Sequence, residues 1–130
     1  MRDVAQMCKG KKTLETKSYA APTNGTGVDI KGYNSCVIFV QSGVVGATTN
    51  TFEVKDSDND SAYTAVDDKY LTGTEASLSI GDTDEHVVRR IGYKGPKRYV
   101  RLDLMACGAA SLLSGTVILA DAQNVPVTQD

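Results

Sequence analysis

The chain has 130 residues, 14 Lys and Arg against 16 Asp and Glu, a net charge of −2, and 41% hydrophobic residues. This is one domain with material for one core, and the composition excludes a disordered chain. No apolar run approaches the roughly 20 residues of a membrane-spanning helix. Residues 1–12 are charged where a secretory signal is apolar, so synthesis in the cytoplasm is expected.

In chain order, residues 1–12 hold Arg2, Lys9, Lys11 and Lys12 against Asp3, with no apolar period. They are expected to form a flexible basic arm, with two readings open: one that orders on a partner, or a frayed terminus without a role. Residues 13–20, TLETKSYA, alternate enough for a first strand, and APTNGTG after them is a turn cluster. GVDIKGY offers a short second strand. SCVIFVQSG, residues 35–43, is continuously apolar, as in a strand at the centre of a sandwich. Val37 and Phe39 are expected to point into its core. GVVGATT is a Gly-punctuated loop. NTFEVKDS alternates, with Phe52 and Val54 on one face and Glu53 and Lys55 on the other. DSDNDS is a turn, AYTAVDD the partner strand, and LTGTEASLSI a loop with a short strand.

Residues 89–104, RRIGYKGPKRYVRLDL, hold six Lys or Arg and one Asp. Pro96 cannot donate to a ladder and marks a turn, so a hairpin is expected around it. Ile91 and Tyr93 share a face of its first arm with Arg89. Val100, Leu102 and Leu104 form the core face of its second arm, while Tyr99, Arg101 and Asp103 share the other. The final strand is SLLSGTVILAD, with Val117 and Leu119 inward. AQNVPVTQD, residues 122–130, reads as an extended tail, which leaves residues 13–121 for the folded domain. About eight short strands with regularly spaced turns argue an all-β protein, an antiparallel β-sandwich of jelly-roll type.

The residues that carry chemistry are few. Cys8, Cys36 and Cys107 fit no CxxC spacing and suit neither a disulfide framework nor a zinc site. His86 has no nucleophile and orienting acid in a recognisable motif. DSDNDSAYTAVD sets Asp56, Asp58, Asp60 and Asp67 at positions 1, 3, 5 and 12 of a calcium loop. Ser61 stands where such a loop needs Gly, however, and any β-turn selects these residues. No catalytic constellation emerges, so neither enzyme nor cofactor is expected. The basic stretch, with Tyr93 and Tyr99 among its cations, has the ingredients of a nucleic-acid surface. The acidic remainder of the chain would repel phosphate. The preferred reading is an assembly surface whose Arg forks meet carboxylates on a neighbouring protein. Its candidate residues are Arg89, Arg90, Lys94, Lys97, Arg98 and Arg101, joined by Lys9, Lys11 and Lys12 of the arm. Arg98 and Arg101 lead the set.

Three segments together carry a resemblance. CVIFVQSG followed by TNTFEVKDSDNDSAYTAVDD gives an apolar strand and then F-x-V-x-x-S-D-x-x-x-x-Y-x-x-V. IGYKGPKRYVRLDL gives I-G-Y-x-G-x-K-R-Y-V-R. A terminal strand then leads into ILADAQNVPV. Over residues 35–127 this order resembles the small β-sandwich structural proteins of tailed-bacteriophage virions, with Asp58-Asn59-Asp60 replacing the usual Gly-rich turn. The resemblance implies a non-enzymatic capsid decoration, or cement, protein on the head exterior. Such a protein bridges subunits of the major capsid protein as a dimer or trimer, with no nucleic acid or membrane partner. A head–tail joining or tail-tube ring component is the alternative within that class. A carbohydrate- or surface-binding module is the alternative outside it, and the absence of Trp weighs against that.

Overall fold

The computed structural model describes residues 4–123. Ten strands follow one another: β1 (Lys9–Tyr19), β2 (Val28–Asp29), β3 (Tyr33–Val45), β4 (Thr49–Ser57), β5 (Thr64–Ala65), β6 (Leu71–Thr72), β7 (Ile80–Gly81), β8 (Val88–Tyr93), β9 (Tyr99–Ala106) and β10 (Ser111–Ala122). They make two antiparallel sheets. The front sheet runs β1-β10-β3-β8-β6 and the back sheet β2-β9-β4-β5, with β7 on β4. The pairs are nested: β1 with β10, β2 with β9, β3 with β8, and β4 with β5. That is one long hairpin rolled into a sandwich, the jelly roll. The short β6 and β7 are additions between β5 and β8.

Period-two alternation places the core. From the back sheet, Phe52, Val54, Val100, Leu102 and Leu104 point between the sheets; from the front sheet, Ile38, Val40, Ile91, Val117 and Leu119 meet them. Thr13 fastens one open side. Its hydroxyl donates to the Thr26 carbonyl at 2.9 Å and accepts the Leu102 N–H at 3.0 Å, while the Thr26 N–H donates to the Thr13 carbonyl at 2.6 Å. A front-sheet strand therefore closes the edge of the back sheet.

Several expectations change. Cys36, Ile38 and Val40 face the core, and Val37 and Phe39 lie half-buried on the outer side. An unbroken apolar run carries no phase, and a one-residue shift exchanges the two faces. The stretch around Pro96 is no hairpin. β8 pairs with β3 and β6 in the front sheet, and β9 with β2 and β4 in the back sheet. The turn between them carries the chain from one sheet to the other. The first strand starts at Lys9 rather than residue 13, with Lys9, Lys11 and Lys12 in register with Leu119, Val117 and Thr116. Of the expected arm, those residues belong to the sheet and residues 1–3 fall outside the described chain. Ala122 still belongs to β10, the Gln123 N–H donates to the Gly32 carbonyl, and the remainder of the expected tail lies outside the described residues.

Candidate assembly surfaces

The crossing turn is built on Tyr93 and Asp56. Tyr93 ends β8 with its hydroxyl buried, donating to Asp56 Oδ2 at 2.8 Å and accepting the Lys97 N–H at 3.3 Å. Burial first, and the Asp56 carboxylate second, raise the Tyr93 hydroxyl above its ordinary pKa. Lys97 Nζ stands 3.6 Å from Asp56 Oδ1 and donates to Thr64 Oγ1 at 3.3 Å. Gly95 lies against the Tyr93 ring, where an added Cβ would come within 2.6 Å of the hydroxyl. Lys97 and the Tyr93 hydroxyl thus flank a buried carboxylate inside the turn.

Most of the cations expected to reach a neighbour are satisfied within the chain. Arg98 forms a two-pronged pair with Asp29, at 2.9 Å and 2.7 Å, and lies over the Tyr99 ring. The guanidinium beside it holds the Asp29 carboxyl below its usual range. Arg101 binds Asp103 at 2.9 Å and stacks on Tyr63, 4.1 Å from the ring centre. Arg89, on the core side of β8, meets Asp84 at 3.0 Å. Lys12 pairs with Glu15 at 3.4 Å in solvent. Arg90 and Lys94 are exposed and have no carboxylate in pairing range among the described residues. Charge composition marks the stretch as basic, but the cancelling carboxylates come from β2, β4 and a loop before β8. Asp103, and Asp84 five residues before Arg89, stood nearby in sequence, whereas Asp29 and Asp56 did not.

The outer face of the back sheet carries a connected ionic layer. Glu53, Lys55, Arg101 and Asp103 stand together on β4 and β9. Asp103 is 0% exposed although it points away from the core. It accepts the Gly25 N–H at 2.9 Å and has Lys55 Nζ at 3.2 Å, besides its Arg101 pair. The cover is the APTNGTG segment. Its Thr23 exchanges both backbone hydrogen bonds with Leu104, and Gly25 sits so close that a Cβ would fall 2.1 Å from the Leu102 carbonyl oxygen. Only glycine permits that approach.

The outer face of the front sheet has the opposite character. One row across it reads Gly10, Ile118, Val37, Gly92 and Thr72, and the next reads Lys12, Thr116, Phe39 and Arg90. Ser114, Gln41 and Val88 follow. Then a bulge, in which β3 spends an extra residue against β10, exposes Val44 and Leu112. Val44, Val88 and Leu112 are 55%, 59% and 46% exposed. Sequence reading missed this surface because it sent Val37 and Phe39 inward.

The remaining candidates do not converge. Asp56 points inward, Asp60 accepts the Tyr63 hydroxyl, and Asp67 caps a 3-10 turn through the Lys69 N–H. Asn59 shapes the turn instead, accepting from Ser57 Oγ and the N–H groups of Ser61 and Ala62. Among the described residues no three acidic, His or Cys side chains gather as a metal site. Cys8, Cys36 and Cys107 are free thiols, and burial pushes Cys36 up to about 12. His86 is exposed in a left-handed backbone conformation. Every Tyr is buried or half-buried. No helix among the described residues is long and apolar enough to cross a membrane.

No family model and no curated protein matches the sequence. Solved structures do share the fold. The SPBc2 prophage-derived protein YomS superposes with a TM-score of 0.52 at 11% identity, over 86% of this chain and 95% of that one. The PBSX exported protein XepA superposes with a TM-score of 0.50 at 12% identity over the whole of this chain, which spans 42% of XepA. At such identities the likeness is one of fold, and the fold is one found in proteins of prophage origin.

Proposed function

We propose that this chain is a structural protein of a bacteriophage virion, and within that class a decoration protein on the capsid exterior that bridges subunits of the major capsid protein. The observation that carries the reading is the shared fold with a prophage-derived protein over nearly the full length of both chains. The arrangement of charge agrees with it. A sandwich sewn together by Thr13, Asp103 and Asp56 is a stiff block suited to holding neighbours at fixed spacing. Four of the six cations in the basic stretch lie against the chain's own carboxylates, which leaves that stretch little for a phosphate backbone. Lys94, at the tip of the crossing turn, keeps a charge for an acidic capsid surface. The carbohydrate-binding alternative loses ground, because sugar platforms need exposed rings, while Tyr63 and Tyr99 already stack on Arg101 and Arg98.

The test uses heads of the encoding phage assembled without this protein. Purified chain added to mature heads should bind at saturating, repeated sites and raise the temperature at which the heads release DNA. Attachment at one vertex only would reassign the chain to the head–tail junction. Absence from both heads and tails would refute the virion role.

A further inference from the structure

We propose that the cleft beside the first residues of β3 is a socket for one acidic side chain, an Asp or Glu carboxylate presented by a partner protein and paired there with Lys94. That the partner is a capsid protein rests on the proposed virion role, whereas the socket is a property of the purified chain.

The cleft exists because the strands that flank it end at different places. β3 starts at Tyr33, but its pairing with β8 begins only at Cys36, opposite Tyr93. Past Tyr93 the chain swings away, and the Lys94 N–H donates to the Tyr70 carbonyl at 2.8 Å. Tyr33, Asn34 and Ser35 therefore have β10 on one side and no strand on the other. The gap that remains measures about 140 Å³.

Size limits the occupant. Sites for whole small molecules offer roughly 300–1,000 Å³. At roughly 30 Å³ for each water-sized group, this cleft takes about four or five heavy atoms. That is the tip of a side chain, with the rest of its owner outside.

Chemistry selects the charge. Tyr33, Asn34, Ser35 and Lys94 line the cleft, and their side chains make no hydrogen bond or ion pair with any described residue. All four can donate, and the ammonium can only donate. No Asp or Glu lines the cleft. Asp56, behind Tyr93, is already held by that hydroxyl and by Lys97. A carboxylate answers this set, since it only accepts, takes several donors at once and opposes the charge of Lys94. Cys36 also lines the cleft, and burial keeps its thiol neutral, so it does not repel an anion.

The walls are set in advance. The Tyr33 N–H donates to the Ile30 carbonyl at 3.2 Å, across a turn in which Gly32 takes a φ of 94°. Gly95 is pressed against the Tyr93 ring. Apart from the Lys94 side chain, little must be ordered when the occupant enters.

Magnetic resonance titration of the isotopically labelled full chain tests the socket. The probe is N-acetylglutamic acid α-amide, which carries one side-chain carboxylate, and N-acetylglutamine amide is its neutral isostere. The acid should shift the amide signals of Asn34, Ser35 and Gly95 and saturate in the millimolar range, with the isostere about tenfold weaker. Lys94→Gln should cost about tenfold in affinity for the acid, while Lys94→Arg keeps most of it. Equal shifts from acid and isostere, tighter binding of inorganic phosphate, or an affinity untouched by Lys94→Gln would each overturn the proposal. On heads, Lys94→Glu should lower occupancy about tenfold at moderate salt. Lys31→Glu makes the same charge change at an exposed position outside the cleft and should leave occupancy unchanged. Equal losses from the two variants would overturn the socket in favour of diffuse charge. A wild type that never attaches to heads refutes the virion role, and the titration then decides the socket by itself.

Discussion

The two outer faces of the sandwich are built from strands of similar length and reach opposite solutions. On the back sheet, β4 and β9 turn outward two acids and two bases, and the chain lays a glycine-bearing segment along the edge of β9, where Asp103 is fully buried. On the front sheet, β3 and β10 turn outward Val37, Phe39, Thr116 and Ile118, and nothing in the described chain covers them. The difference shows that exposure cannot be inferred from polarity alone. Here the charged face hides a carboxylate completely, and the apolar one leaves Val44, Val88 and Leu112 exposed. A face that has satisfied its own charges offers a partner little, whereas an apolar face with one unmatched guanidinium still has free energy to gain from contact.

Substitutions can break or sharpen that contrast. On the two outer faces, the largest effect should come from Asp103→Ala, which strands Arg101 and Lys55 half-buried and leaves the Gly25 N–H without an acceptor. A loss of about 3 kcal/mol is expected in urea unfolding. A loss below about 1 kcal/mol would mean that the back face is less sealed than its geometry implies. Next comes Glu75, whose Oε2 accepts the Val54 N–H at 2.6 Å and plugs the edge of β4 between its short partners β5 and β7. Glu75→Ala should cost about 1.5 kcal/mol by orphaning that N–H, and Glu75→Gln far less. Burial, opposed by the Val54 bond, raises the Glu75 carboxyl above its ordinary 4.5. The folded state thus holds this proton more tightly than the unfolded one. The associated stability is fully present below the ordinary value and is lost as pH rises through the folded value. Glu75→Gln should flatten stability against pH in the window just above 4.5, and an unchanged slope there would assign it to other groups.

On the front face, Phe39→Ala removes a half-buried ring and should cost only about 1 kcal/mol in urea unfolding. Phe52→Ala, on the core side, should cost about 4 kcal/mol and supplies the control. The smallest effect is expected from Arg98→Ala. Its pair with Asp29 lies in solvent, so the melting temperature should not move measurably. A clear drop would show that the pair anchors β2.

The sequence made the back sheet readable because NTFEVKDS and KRYVRLDL alternate charge with apolar bulk, so each residue announces its side. It left the front sheet ambiguous, since SCVIFVQSG is apolar in both phases and only packing chooses between them. Lys9–Lys12 looked like an arm because the segment is basic and has no apolar period, yet the residues facing them on β10 are Thr116 to Leu119, and pairing overrides the local pattern. The partners of the basic stretch were hidden for another reason. Asp29 and Asp56 meet Arg98 and Lys97 only after the roll closes, and no local pattern encodes that. The same closure turned the expected hairpin into a step between sheets.

The nesting of strands also governs how the chain reaches this state. Lys9 pairs with Leu119, and β10 is the strand that joins β1 to β3. During synthesis, β1 therefore has no seat until β10 has left the ribosome, and β3 waits with one edge and much of its apolar surface uncovered. Contacts of such long sequence separation delay folding, because loop entropy is lost before they form. The interval is a hazard of aggregation. Charged residues on β1 keep the waiting strand in solution, since lysines along an unpaired edge discourage the wrong partner. A chain truncated before Ser111 should consequently collect in inclusion bodies, even though it retains every strand of the back sheet.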